Sequence, residues 1–290
     1  MPVHLLKLRP DGMFSNVNEV VQQYHLAVLA GYRFGIDWSN SCYRDPERRG
    51  DPWSYYFEDV FDTGGPPAAD SPPLPRGVKV ACTRDNLITP RLVDGQCDPL
   101  LLPRDRKMAG ETLSRAIRLK PGIAQHIRDI RANLAGAELI GVHIRGEGRT
   151  DGGTLRLRAA AGAVGRVPFA LYFNAVDAAL AQRPAAAVLV CSDSCMVIAA
   201  ARQRYGQRLV VYQAQRSQFG EMHAGHPQNR GMTFEPWRLG LDVIVEAHLL
   251  AGADCFVHGN SNLANYVLCR APDLSSHYVY QAFDHAPARN

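Results

Sequence analysis

The chain has 290 residues, 46% of them apolar, and a formal net charge of +4. This is enough for one large globular domain or two of ordinary size. The basic residues are scattered and carry no stripe with interleaved aromatics, so no nucleic-acid partner is expected. No apolar run reaches the roughly 18 residues of a membrane span, and the N-terminus, Met1-Pro-Val-His-Leu-Leu-Lys7, lacks a signal-peptide core. Arginine greatly outnumbers lysine, which suggests a GC-rich bacterial source.

In chain order, Val3 to Leu8 reads as a strand and Arg9 to Asn16 as a turn-rich loop. Ser15 or Asn16 is then expected to cap a helix running to about Ala30, with Val17, Val20, Val21, Tyr24, Ala27 and Val28 as its apolar stripe. Gly31 ends it, and Tyr32 to Trp38 is the next strand. Regularity is lost from Ser39 to Pro75. This stretch holds the aromatic run Trp53-Ser-Tyr-Tyr-Phe-Glu58, which either packs in a core or stacks on a sugar ring, and a proline-rich loop from Gly64. Glu58 is expected to pair with Arg44 or Arg48. Gly77 to Cys82 reads as a strand, and helices are expected near 103–119 and 121–135. A domain boundary is placed near residue 135, giving an N-terminal Rossmann-like domain (1–135) and a C-terminal one (136–290).

The second half alternates strands (137–145, 186–191, 208–212, 254–257) with helices (168–182, 194–205, 239–251, 262–269), as in a parallel doubly wound sheet. The tail from Asp284 is expected to fray. The seven cysteines are dispersed, and Cys191-Ser-Asp-Ser-Cys195 has no partner pair. They are read as free buried thiols of a reducing cytoplasm, not as a zinc site. No metal and no cofactor are expected.

The most informative segment is Leu139-Ile-Gly-Val-His-Ile-Arg145 and the glycine-rich run after it. Alternation along a strand puts Leu139, Gly141, His143 and Arg145 on one face, with Ile140, Val142 and Ile144 on the other. A core strand has no packing reason to end in histidine and arginine. In open α/β sheets that edge borders the ligand crevice, and a fixed guanidinium there suits phosphate. Two further loops converge on the same edge. Ser192-Asp-Ser194 follows an apolar strand, and Ser192 or Asp193 either caps the next helix or faces the crevice. His258-Gly-Asn-Ser-Asn262 follows another, with Asn260 and Ser261 opening a helix whose free amides attract phosphate. Asp242, placed in the first turn of its helix, either complements the dipole or accepts the paired N1–H and N2–H donors of guanine.

Together these motifs resemble the GT-B fucosyltransferase superfamily, which includes the nodulation and core α1,6-fucosyltransferases and the protein O-fucosyltransferases. The resemblance rests on His143-Ile-Arg145, on Cys191-Ser-Asp193, and on the ordered run from Leu241 to Ser261. In the first half it rests on Gly12-Met-Phe-Ser-Asn16, Gly31 to Trp38 and Tyr55-Tyr-Phe-Glu58. It implies an α/β fold of GT-B type, two Rossmann-like domains facing a central cleft. It also implies an inverting, metal-independent glycosyltransferase acting on a GDP-sugar, most directly GDP-fucose, with a carbohydrate or small-molecule acceptor. Arg145 then matches the arginine on the β-phosphate, His143 and Asp242 positions near guanine, Asp193 and Ser261 the donor pocket, and Asn16 an asparagine near the sugar. The chain has no Asp-x-Asp pair of the kind metal-dependent transferases use.

The chain departs from the family where Gly146-Glu-Gly-Arg-Thr-Asp151 follows the arginine, and Gly153 stands where the core enzyme has glutamate. The base is therefore not carried over. Glu147 is the first candidate, with Asp151 and Asp11 in reserve. The alternatives are a transferase of the same scaffold using another nucleotide sugar, or a nucleotide-sugar binding protein without catalysis.

Overall fold

A computed structural model describes residues 3–29, 32–61, 79–81, 92–93, 96–97, 103–134, 136–146, 168–218, 220, 222, 233–259 and 261–279. Two parallel sheets organise it. The first takes its strands in the order β2-β1-β3, from β1 (Val3–Lys7), β2 (Arg33–Asp37) and β3 (Lys79–Ala81). The second takes the order β10-β9-β6-β7-β8, from β6 (Leu139–His143), β7 (Ala187–Cys191), β8 (Leu209–Val210), β9 (Cys255–His258) and β10 (Ser275–Tyr278). A two-residue antiparallel pair, β4 (Leu92–Val93) with β5 (Gln96–Cys97), lies apart from both. Neither β10 nor this pair was expected from the sequence.

The helices among the described residues are α1 (Met13–Leu29), α2 (Trp53–Tyr56), α3 (Pro103–Ala116), α4 (Pro121–Asn133), α5 (Ala170–Gln182), α6 (Cys195–Tyr205), α7 (Pro236–Leu250) and α8 (Asn262–Arg270). Two begin three residues before the sequence suggests. Helix α1 starts at Met13, so Asn16 lies inside its first turn and does not cap it. Helix α7 starts at Pro236, whose fixed φ suits the first helical position. Asp242 is thereby moved beyond the first turn, and the dipole reading lapses.

Burial follows the strand alternation. Ile140, Val142 and Ile144 join Val188, Val190, Cys255 and Val257 on one face of the second sheet, packed against Tyr172, Phe173 and Val176 of α5 and Val197 and Ile198 of α6. Leu139, Leu189 and Phe256 face the other way. There they join a single apolar core that runs through α7 and α8 into α1 and the first sheet. Strands covered on both faces explain the nearly continuous apolar runs.

The aromatic run of the first half belongs to this core. Trp53, Tyr56 and Phe57 are buried, and the Tyr56 hydroxyl donates to the Trp237 carbonyl of α7 at 2.7 Å. A Cβ on Gly240 would stand 2.4 Å from that hydroxyl. These three rings are therefore packing elements and not a sugar platform. Glu58 pairs with Arg118 at 3.4 Å, not with Arg44 or Arg48, while Arg48 lies over the Trp237 ring at 3.7 Å. Cys42, Cys191, Cys195, Cys255 and Cys269 are free, but Cys195 is exposed and Cys42 only half-buried, so the expectation of buried thiols fails for these two.

Candidate active site

The carboxyl edge of the second sheet faces the β1–α1 loop of the first across a cleft of about 510 Å3. One wall is Asp11, Gly12, Met13 and Ser15 with Cys42 and Tyr43; the other carries His143, Arg145, Ser192, Asp193, Asp242 and Ser261. Five of the ten predicted site residues, His143, Arg145, Asp193, Asp242 and Ser261, thus line one cavity from the second half, joined by Asp11 from the first. Asn16 does not line it. Its buried side chain is spent on the loop backbone, accepting from the Arg9 amide at 3.0 Å and donating to the carbonyls of Arg9 and Asp11 at 3.1 Å each. Glu147, Asp151 and Asn260 lie outside the described residues.

His143 ends β6 directly beside His258 of β9. Its Nδ1 is 3.3 Å from Ser261 Oγ, and Ser261 Oγ accepts the Ala264 amide at 3.0 Å as the cap of α8. One hydroxyl therefore fixes both an imidazole and a helix start. Burial, then Arg145 and His258, push the His143 pKa down to about 3, so the ring is neutral at ordinary pH. Arg145 follows two residues on, its charge felt at both His143 and Tyr43.

Asp193 does something the sequence did not suggest. Its Oδ1 accepts the Gly146 amide at 2.6 Å, and its carbonyl accepts the Ser217 amide at 3.0 Å. Three loops are thereby tied: the one after Arg145, the one after β7, and the one after β8. Gly220 closes the knot. It has φ +95°, and a Cβ there would meet Gly146 Cα at 2.5 Å and Asp193 Oδ1 at 2.9 Å. The cap of α6 falls on Ser194, whose amide donates to Ser192 Oγ at 3.2 Å.

Two acids stand on the α7 side of the cleft. Asp242 Oδ2 accepts the Gln215 amide at 2.7 Å, while its buried Oδ1 lies 3.9 Å from Arg238 Nε and makes no hydrogen bond. Burial raises its pKa against the pull of that amide. Glu246, one turn further along α7, was missed in the sequence, as was its partner Arg216. The two form a buried ion pair at 2.7 Å, and Arg216 also donates to the carbonyls of Tyr212 and Ser192. Burial raises Glu246 to about 7 even so. The available signal was spacing: Asp242 and Glu246 are four apart and share a helix face. Arg216 sits in a loop that no periodicity places.

On the opposite wall, the Asp11 carboxylate is half-exposed and held by Arg9 at 3.0 Å. Arg9 in turn lies 3.3 Å from the buried Glu19 and donates to Ser15 Oγ at 3.0 Å. The Met13 amide donates to the Tyr43 hydroxyl at 2.9 Å, which sets the first turn of α1 against this wall. No group of three or more histidine, cysteine or acidic side chains arranged to hold a metal occurs among the described residues. A cleft lined by the Arg145 guanidinium, a neutral imidazole, a helix start and acidic side chains can receive a ligand that is anionic at one end and donates hydrogen bonds at the other.

No protein-family model matches the chain, and no curated protein matches it in sequence. Its fold does match solved structures. The fucosyltransferase NodZ from Bradyrhizobium superposes with a TM-score of 0.58 over 98% of each chain at 15% identity. NodZ α1,6-fucosyltransferase soaked with GDP-fucose gives 0.53 over 94% of this chain and 92% of that one, at 15% identity. POFUT1 in complex with GDP gives 0.53 over 96% and 98% at 10% identity. At these identities the likeness establishes architecture: the chain has the fold of the GT-B fucosyltransferases.

Proposed function

We propose that this chain is a glycosyltransferase that moves a sugar, fucose first among candidates, from a GDP-sugar to a hydroxyl of a glycan, a lipid-linked saccharide or a small molecule. The observation that carries this is the shared cleft. Arg145, His143 and the Ser261-capped helix start meet the Gly12 loop across one cavity, in a fold whose solved examples include forms with GDP or GDP-fucose. The second half (136–290) would hold the donor and the first (1–135) the acceptor. Arg145 and the amides of α8 then neutralise the diphosphate. Asp242, whose Oδ1 has no hydrogen-bond partner, would accept from the guanine edge.

The acceptor hydroxyl attacks the anomeric carbon from the face opposite GDP, inverting it without a metal. Negative charge gathers on the departing phosphate, where one fixed cationic contact is worth roughly 3–4 kcal/mol in the transition state. A carboxylate removes the acceptor proton. Glu147, two residues from Arg145, is assigned that role, with Asp151 and the cleft-lining Asp11 next in order.

Thermal-shift titration with GDP, UDP and ADP tests the donor reading. A shift for GDP alone, abolished in Arg145→Gln, is expected; equal shifts for all three, or none, would overturn it. GDP release from GDP-fucose in the presence of an acceptor extract separates an enzyme from a binding protein. Near-native turnover of Glu147→Gln would remove Glu147 from the mechanism.

A further inference from the structure

A second depression of about 420 Å3 lies away from the cleft, between α3, α4, α7 and α8. Its walls are apolar, with Leu113 and Ile127 buried at the base. Its polar lining is dominated by four arginines: Arg118, Arg128, Arg131 and Arg270. Among the described residues only Arg118 meets a carboxylate, that of Glu58 at 3.4 Å. Arg128 is held by the neutral Gln125 side chain at 2.6 Å. Arg131 and Arg270 form no ion pair with any described residue.

The positions of these cations are set by the fold. Arg131 lies flat on Gly252, where a Cβ would stand 2.4 Å from Nη2, so the missing side chain is what admits the guanidinium. Between the two unpaired arginines, His248 is fixed by the Tyr266 hydroxyl at 2.8 Å. Burial, then Arg270 and Arg131, drive its pKa down to about 4. Burial is the larger cause, and the positive field of both guanidiniums adds to it at this point of the pocket. Four cations facing one carboxylate repel one another, and a multiply charged anion relieves that repulsion. Fork-shaped guanidiniums above an apolar base suit a tetrahedral phosphoryl group that carries an apolar substituent.

We propose that this pocket is a second anion site that binds a phosphoryl group through Arg131 and Arg270, separate from the cleft that holds Arg145. The probe is inorganic phosphate, titrated into the full chain by calorimetry. Loss of one charge-assisted contact is expected to weaken phosphate binding roughly ten- to hundredfold in Arg131→Gln and in Arg270→Gln, and not in Arg145→Gln. Arg270 is exposed, so its variant is safe for folding. Arg131→Lys retains the charge without the fork and should recover part of the affinity.

Two further arms identify the source. Phenyl phosphate binding tighter than phosphate, with no sedimentation on phosphatidylglycerol vesicles, assigns a soluble ester. Arg131- and Arg270-dependent sedimentation on those vesicles assigns a lipid headgroup. Undetectable phosphate binding, or binding lost in Arg145→Gln and retained in both pocket variants, would overturn the site. These outcomes do not depend on whether GDP binds the cleft.

Discussion

Arg145 is where the sequence and the structure agree most directly. The strand periodicity places it at a sheet edge, and the structure puts it in the cleft. Arg145→Gln should cut kcat by about 10²–10³ if the contact behaves like a removed oxyanion donor, measured by GDP release at saturating donor. Acid stability is set by other single residues. His143 and His258 are buried and His248 is half-buried, and the three are held to about 3, 4 and 4 in the order His143, His248, His258. Their folded pKa values lie below the ordinary 6.5, so the unfolded chain binds more protons as pH falls from about 6.5 toward 4, and stability drops there. Glu246 has the opposite sign. Raised to about 7, it holds a proton the unfolded chain releases, and so lends stability that is lost as pH rises from its ordinary range through about 7. Three histidines outweigh one glutamate, so the urea midpoint should fall across pH 6.5 to 4. His248→Gln should flatten that slope.

At the scale of elements, the cleft is held by joints that pattern reading could not see. Ser261 was legible as a helix opener, but its simultaneous hold on His143 was not, because the two are 118 residues apart. Ser261→Ala should cost about 1 kcal/mol through the lost cap, visible in the denaturation midpoint, and should also weaken GDP binding by freeing the imidazole. Asp193 looked like a cap or a donor contact, yet it clamps the loop after Arg145. Gly220→Ala strains a positive φ and pushes on Gly146 Cα and on that clamp. A loss of roughly 1–3 kcal/mol with a larger proportional fall in kcat than in donor affinity is expected, read from steady-state kinetics beside the melting curve. The early starts of α1 and α7 displaced Asn16 and Asp242 from their expected roles by less than one turn. Helix boundaries are decided by such local competition.

For the whole molecule, one apolar core joins the first sheet to one face of the second. The Tyr56–Trp237–Gly240 contact is a tight joint between chain halves. Gly240→Ala places a methyl against a buried ring that has no room to yield. It should destabilise by about 1–3 kcal/mol, lowering Tm by roughly 2–4 °C per kcal/mol for a chain approaching this size. Asn18 adds a polar joint, its Nδ2 donating to the Asn262 carbonyl at 3.1 Å beside the cleft.

By itself the sequence determined the strand and helix alternation, the two-faced burial of β6, and the convergence of three polar strand ends on one edge. All of these follow from local periodicity and from the geometry of parallel sheets. Only the tertiary structure decided that Asn16 serves its own loop and that Asp193 ties three loops together. It alone paired Glu246 with Arg216 and gathered four arginines around a second pocket. Those outcomes depend on which distant segments share a dry, crowded space, and no window of neighbouring residues carries that information.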